Sequence, residues 1–96
     1  MTTVNAMNLA EIGNLVGDLT RAQMLTALLD GRALTAGELA WCAGIMPQTA
    51  SSHLAKLQAA GLLTMEKQGR HRYFRLSSPT VAAMLESMQV VCAVDA

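Results

Sequence analysis

The sequence predicts a mainly α fold with one β-hairpin, its elements in the order α-α-α-α-β-β-α. Apolar residues recur at helical spacing through both ends of the chain, and the period changes to alternation only after Gly61. The composition agrees, with 16 Ala and seven Met against one Trp, one Tyr and one Phe. The chain has 96 residues, 52% hydrophobic and 15% charged, enough for one core and too apolar to stay disordered. A single domain over residues 1–96 is expected.

The first helix is expected at about 8–17, where Leu9, Ile12 and Val16 share one face and Gly17 offers a stop. Leu19 and Thr20 open a second, with Met24, Leu25, Leu28 and Leu29 as its stripe and Asp30-Gly31 as its end. A third starts at Thr35, because Thr35-Ala36-Gly37-Glu38 has the spacing at which two side chains each satisfy the other's free backbone N–H. It ends at Gly44. Pro47 suits the first position of a fourth helix, whose buried stripe is Ala50, Leu54 and Leu57, and Gly61 closes it. Two short helices joined by a tight turn, at about 35–60, make a helix-turn-helix. Residues 62–76 then alternate around Gln68-Gly69-Arg70, the mark of a β-hairpin turning at Gly69. Ser78-Pro79 opens a last helix, about 79–93, with Val81, Leu85, Met88 and Cys92 along one side. This order is that of a winged helix-turn-helix with the hairpin as its wing.

The net charge of zero hides a basic stretch. Residues 56–75 hold Lys56, Lys67, Arg70, Arg72 and Arg75 against Glu66 alone, while the flanking stretches are acidic. Such a stretch is either a phosphate-binding footprint or a solvated basic hairpin. With Ala50, Leu54 and Leu57 turned inward, Gln48, Thr49, Ser52, Ala55, Lys56 and Ala59 face outward and Ser51 sits at the edge. That face is small, polar and short, and suits a DNA major groove: Gln pairs with adenine, Ser and Thr with several bases, and Lys56 with a phosphate. His53 lies to one side of the buried stripe, where it either reaches a phosphate or packs its ring and bonds a backbone carbonyl. Lys67, Arg70, His71 and Arg72 surround the hairpin tip and can follow the DNA backbone or enter a narrow minor groove, with Arg70 first. At least one of Tyr73 and Phe74 is expected to anchor the wing. For Arg21, an ion pair with Asp18 or Glu38 is favoured over a phosphate contact.

From Leu19 to Leu76 the chain resembles the ArsR/SmtB family of bacterial transcriptional regulators. The resemblance rests on Leu19-Thr20-Arg21, Leu34-Thr35-Ala36-Gly37-Glu38-Leu39-Ala40, Thr49-Ala50-Ser51-Ser52-His53-Leu54-Ala55-Lys56-Leu57, Ala60-Gly61-Leu62-Leu63 and Gly69-Arg70-His71-Arg72-Tyr73-Phe74-Arg75-Leu76. It implies a homodimeric repressor that binds double-stranded operator DNA at an imperfect palindrome, with its first and last helices forming the dimer contact. Two positions depart from the family pattern: Met46 stands where a capping Ser is common, and Leu19 where Pro is frequent. The stripe of Val81, Met84, Leu85, Met88, Val91 and Cys92, with Leu9, Ile12 and Val16, either builds that two-fold interface or closes the protomer's own core.

Many relatives release DNA on binding a metal, and thiolate sensors among them carry a Cys-x-Cys pair in the third helix. This chain has Thr35 and Gly37 there, and its last helix holds no His, with only Glu86 and Asp95 as oxygen ligands. No metal and no cofactor are expected, and no effector is indicated. Cys42 and Cys92 are expected to be small buried residues, with a redox switch between them as the alternative. Relatives that sense oxidants usually place one cysteine in the second helix, where this chain has none.

Neither a membrane-length apolar run nor a secretory leader is visible, so the cytoplasm is expected. No phosphate-cradling loop and no nucleophile-base spacing points to an enzyme. A winged helix used only for protein contacts is the remaining rival, and it would call for an apolar recognition face. Val90-Val91-Cys92-Ala93-Val94 carries no clear stop, which leaves open a longer protein with an effector domain beyond Ala96.

Overall fold

A computed structural model describes residues 5–93; Val94 and Asp95 lie outside them. α1 (Ala6–Val16) begins where the Asn5 side chain accepts from the Met7 N–H at 2.8 Å. α2 (Leu19–Ala27) begins the same way, with Asp18 accepting from Arg21 N–H at 3.0 Å. It stops two residues short of the expected stripe, so Leu28 and Leu29 lie in the turn beyond it, Leu28 still fully buried. Arg32 closes this end, its Nε donating to the Ala27 carbonyl at 3.1 Å and pairing with Asp30.

A two-residue strand, β1 (Leu34–Thr35), follows and was not expected, since two residues carry no period. It leads into α3 (Ala36–Ala43), whose first turn holds the reciprocal cap. Thr35 N–H donates to Glu38 Oε1 at 2.9 Å, and Glu38 N–H to Thr35 Oγ1 at 3.2 Å. Gly44 ends it in the left-handed region at φ 65°, which glycine enters without a Cβ penalty. α4 (Pro47–Ala59) starts with Pro in its first turn and, at Met46, no side-chain cap. The wing is β2 (Leu63–Gln68) and β3 (His71–Leu76), and α5 (Pro79–Cys92) starts from the Ser78 hydroxyl, which accepts from Val81 N–H.

The sheet runs β1-β3-β2, antiparallel throughout, with Leu34 opposite Phe74 and Leu63 opposite Leu76. The core joins Met24, Leu25 and Leu28 to Leu39 and Ala40 of α3, to Ala50, Leu54 and Leu57 of α4, and to Leu62 and Leu63. Phe74 is the aromatic ring that anchors the wing; Tyr73 stays half-buried. Ser77 Oγ donates to the Gly61 carbonyl at 2.6 Å, tying the base of the wing to the end of α4.

The cysteine expectation needs correction. Cys42 and Cys92 are exposed, because Cys42 lies off the stripe through which α3 meets the core and Cys92 sits in the last turn of α5, beyond the helix's contact with it. The α5 stripe also divides: Val81, Met84 and Leu85 pack on the core, whereas Met88, Val90 and Val91 are exposed, the last at 84%. At the other terminus Met7 and Leu9 are exposed while Val16 is buried.

Candidate nucleic-acid interface

The site grows from α4. With Ala50, Leu54 and Leu57 fully buried, Gln48, Thr49, Ser51, Ser52, Ala55 and Lys56 are exposed along the opposite side. A groove runs between this helix and the wing, lined by Ser51, Ala55 and Gln58 on one bank and Met65, Arg72 and Phe74 on the other. The sequence reading left out Gln58, although it lies seven residues, or two helical turns, beyond Ser51 on the same flank.

Strand register sorts the basic residues of the wing. Leu63, Met65 and Lys67 alternate to the same sheet face as their partners Leu76, Phe74 and Arg72, so Lys67 and Arg72 extend the face that Phe74 turns to the core. They are directly opposed like charges, an arrangement that costs stability in a sheet unless an anion offsets it. Gln68, His71, Glu66 and Tyr73 occupy the other face, and the His71 ring meets Tyr73 edge-on with centroids 6.2 Å apart. His71 therefore stands apart from the groove that Arg72 lines. Gly69 and Arg70 form the two-residue loop at the tip. Only Gly69 has a positive φ, 60°, which is the pattern of a type II′ turn and leaves Arg70 projecting at the apex.

His53 lies 200° around α4 from Ser51, on the flank away from the wing. It is half-buried and, among the described residues, bonds neither to a backbone carbonyl nor to an acid; its Nδ1 is 3.0 Å from an Nη of Arg21. The expected pairing of Arg21 with Asp18 or Glu38 is likewise replaced. Arg21 is buried at 9% exposure and donates from Nε to the Leu15 carbonyl at 2.7 Å, because its position in the first turn of α2 aims the side chain at the end of α1. Asp18 instead caps the Arg21 backbone. That hydrogen bond, with the nearby charge of Arg21, holds the Asp18 carboxyl below its usual range.

The two cysteines line different grooves, Cys42 one beside Leu34 and Trp41 and Cys92 one beside Val16, Leu85 and Met88. Among the described residues no three His, Cys, Asp or Glu side chains converge as a metal site would require, and no helix is long and apolar enough to cross a membrane.

A helix-turn-helix domain family matches residues 16–66, more than half of the chain. The transcriptional regulator CmtR of Mycobacterium tuberculosis is 40% identical over 88 residues, covering 91% of this chain and 74% of that protein. The chain belongs to the ArsR/SmtB family of winged helix-turn-helix transcriptional regulators. A second relative, the uncharacterised regulator YdfF of Bacillus subtilis, is 49% identical over 81 residues, and there the chain spans only 36% of the relative's length. Among solved structures, reduced HlyU from Vibrio cholerae aligns with a TM-score of 0.80 at 30% identity, covering 91% of this chain and 90% of that one. The structure of CmtR, described as a cadmium sensor, aligns at 0.70 and 35%, covering 91% of each. In this ArsR-family chain the uncapped Met46 and the wing-flanked α4 face are therefore parts of a transcriptional regulator's helix-turn-helix.

Proposed function

We propose that this chain is a single DNA-binding domain that acts as a homodimeric repressor on an imperfectly palindromic operator, in the cytoplasm beside the DNA. The observation that carries it is the exposed, small and polar face of α4 beside the directly opposed basic couple Lys67 and Arg72. Gln48, Thr49, Ser51 and Ser52, near the N-terminus of α4, read base edges in the major groove. Lys56 and His53 meet phosphates on the outer flank, and Lys67, Arg72 and the apical Arg70 engage the backbone or the minor groove beyond the wing. His71, on the far sheet face, serves at most the end of that contact.

Dimerisation is supported by the apolar surface left open at the outer parts of α1 and α5, Met7 and Leu9 with Met88, Val90 and Val91. A two-fold pair would set two recognition helices about 34 Å apart, one turn of DNA. A protein-contact module would present an apolar α4 face, and α4 presents a polar one. A thiol switch between Cys42 and Cys92 is disfavoured by their separate grooves. The chain is read as a regulator and not an enzyme, with no metal or other cofactor.

The test is fluorescence anisotropy with the DNA upstream of the chain's own gene and a scrambled duplex, over a salt series, with reduced and oxidised protein. Tight, sequence-dependent binding that weakens steeply with salt in both states supports the proposal. Absence of binding overturns it, and loss on oxidation alone transfers the switch to the cysteines.

A further inference from the structure

Arg21 is the buried charged side chain among the described residues, and its guanidinium joins three helices. Nε donates to the Leu15 carbonyl at 2.7 Å and one Nη to the Asn14 carbonyl at 3.4 Å, both in the last turns of α1. The other Nη lies 3.0 Å from Nδ1 of His53, on α4. A guanidinium keeps all its protons and has no acceptor, so at that distance Nδ1 must be the acceptor. The ring proton then sits on Nε2. A doubly protonated ring, or one protonated on Nδ1, would set an N–H against the guanidinium N–H. Asp18, the acid beside them, accepts instead from the Arg21 backbone N–H.

From this geometry we propose that Arg21 is a positioning residue for DNA recognition: it locks His53 as the Nε2–H tautomer and braces α4 against the end of α1, leaving Nε2–H free to donate to a DNA phosphate. The proposal rests on α4 being the helix that enters the major groove. It makes the carbonyl end of α1 part of the recognition apparatus. Shifting the last turn of α1 would withdraw the partners that hold the guanidinium, and the guanidinium is what orients the His53 ring.

The chain has two histidines, so long-range 1H–15N correlation spectra of the free protein can assign the tautomer of each. The expected result is a bare Nδ1 and a protonated Nε2 on His53 at neutral pH. In Arg21→Lys, whose single ammonium cannot reach the α1 carbonyls and the ring together, mixed tautomers and roughly tenfold weaker operator binding are expected, the size of one charge-assisted hydrogen bond. A proton on Nδ1 in the wild type, or tautomer and affinity both unchanged in Arg21→Lys, overturns the proposal. If Arg21→Lys does not fold, the wild-type spectrum and two variants of the half-buried His53 decide. His53→Gln keeps an N–H donor near the Nε2 position and should stay within about threefold of wild type, while His53→Ala loses about tenfold. Equal losses in the two overturn it. Gln48→Ala separates this inference from the reading beneath it. If that variant loses operator preference while Arg21→Lys changes nothing, α4 reads DNA without the brace; if it keeps full preference, α4 is not the reading helix.

Discussion

Single side chains decide which contacts carry sequence information and which carry only charge. Gln48 stands exposed at the N-terminal end of α4, where the proposed binding mode brings it to a base edge. Gln48→Ala should cost about 1–3 kcal/mol on the operator and much less on random DNA, measured by anisotropy on both duplexes; equal losses would remove Gln48 from base reading. Arg70 occupies the apex of a type II′ loop and is exposed there. Arg70→Ala should weaken binding to every sequence and lower the salt slope by about one, if its contact is to phosphate. Both side chains could be picked out from the sequence, because helical and hairpin periods alone set their directions. The Arg21 to His53 contact could not. Its partners are 32 residues apart in the chain, and only the packing of α2 and α4 on α3 brings them together.

Among the elements, helix ends show how far local chemistry dictates local structure. Caps at Thr35 and Ser78 appear where the sequence places them, since each depends on residues three apart. α4 is the exception, starting at Met46 with an extended backbone, φ −71° and ψ 145°, and free N–H groups. Met46→Ser keeps that conformation and adds an acceptor. It should stabilise the protein by about 1 kcal/mol and raise Tm by about 4–8 °C, read by thermal unfolding. Acid acts on the caps in the opposite direction. Glu38 is held below its ordinary range, first by the hydrogen bond from Thr35 N–H and then by the Thr35 hydroxyl. A carboxylate lowered in the folded state stabilises it above the unfolded-state value, and that contribution disappears as pH falls through the folded one. Urea midpoints should therefore drop on acidification below roughly pH 4, and drop less steeply in Glu38→Gln. An identical slope in the variant would mean that the cap carboxylate has no part in it.

For the whole molecule, the informative surface is apolar. Met88, Val90 and Val91 on α5 and Met7 and Leu9 on α1 lie in water in the isolated protomer, an arrangement that a two-fold partner would relieve. Val91→Glu, at an 84% exposed position, should leave the protomer's helical content intact and shift it to monomer in sedimentation. Operator affinity should fall by a hundredfold or more, on the order of what losing a second recognition helix removes. A variant that stays dimeric would place the interface elsewhere.

The order of the helices and the wing, the buried stripe of α4 and its polar outer face were all legible along the chain. Each of these is written in the spacing of neighbouring residues, and the physics that reads spacing is local: 100° per residue in a helix, alternation in a strand. Tertiary structure decided the rest. It ended α2 early while keeping Leu28 in the core, added β1 to the edge of the wing and exposed both cysteines. It also turned Arg21 toward the end of α1 and the ring of His53, and away from the acids near it in sequence. Burial and partner choice depend on which surfaces meet across the fold, and neighbouring residues in the chain carry no record of that.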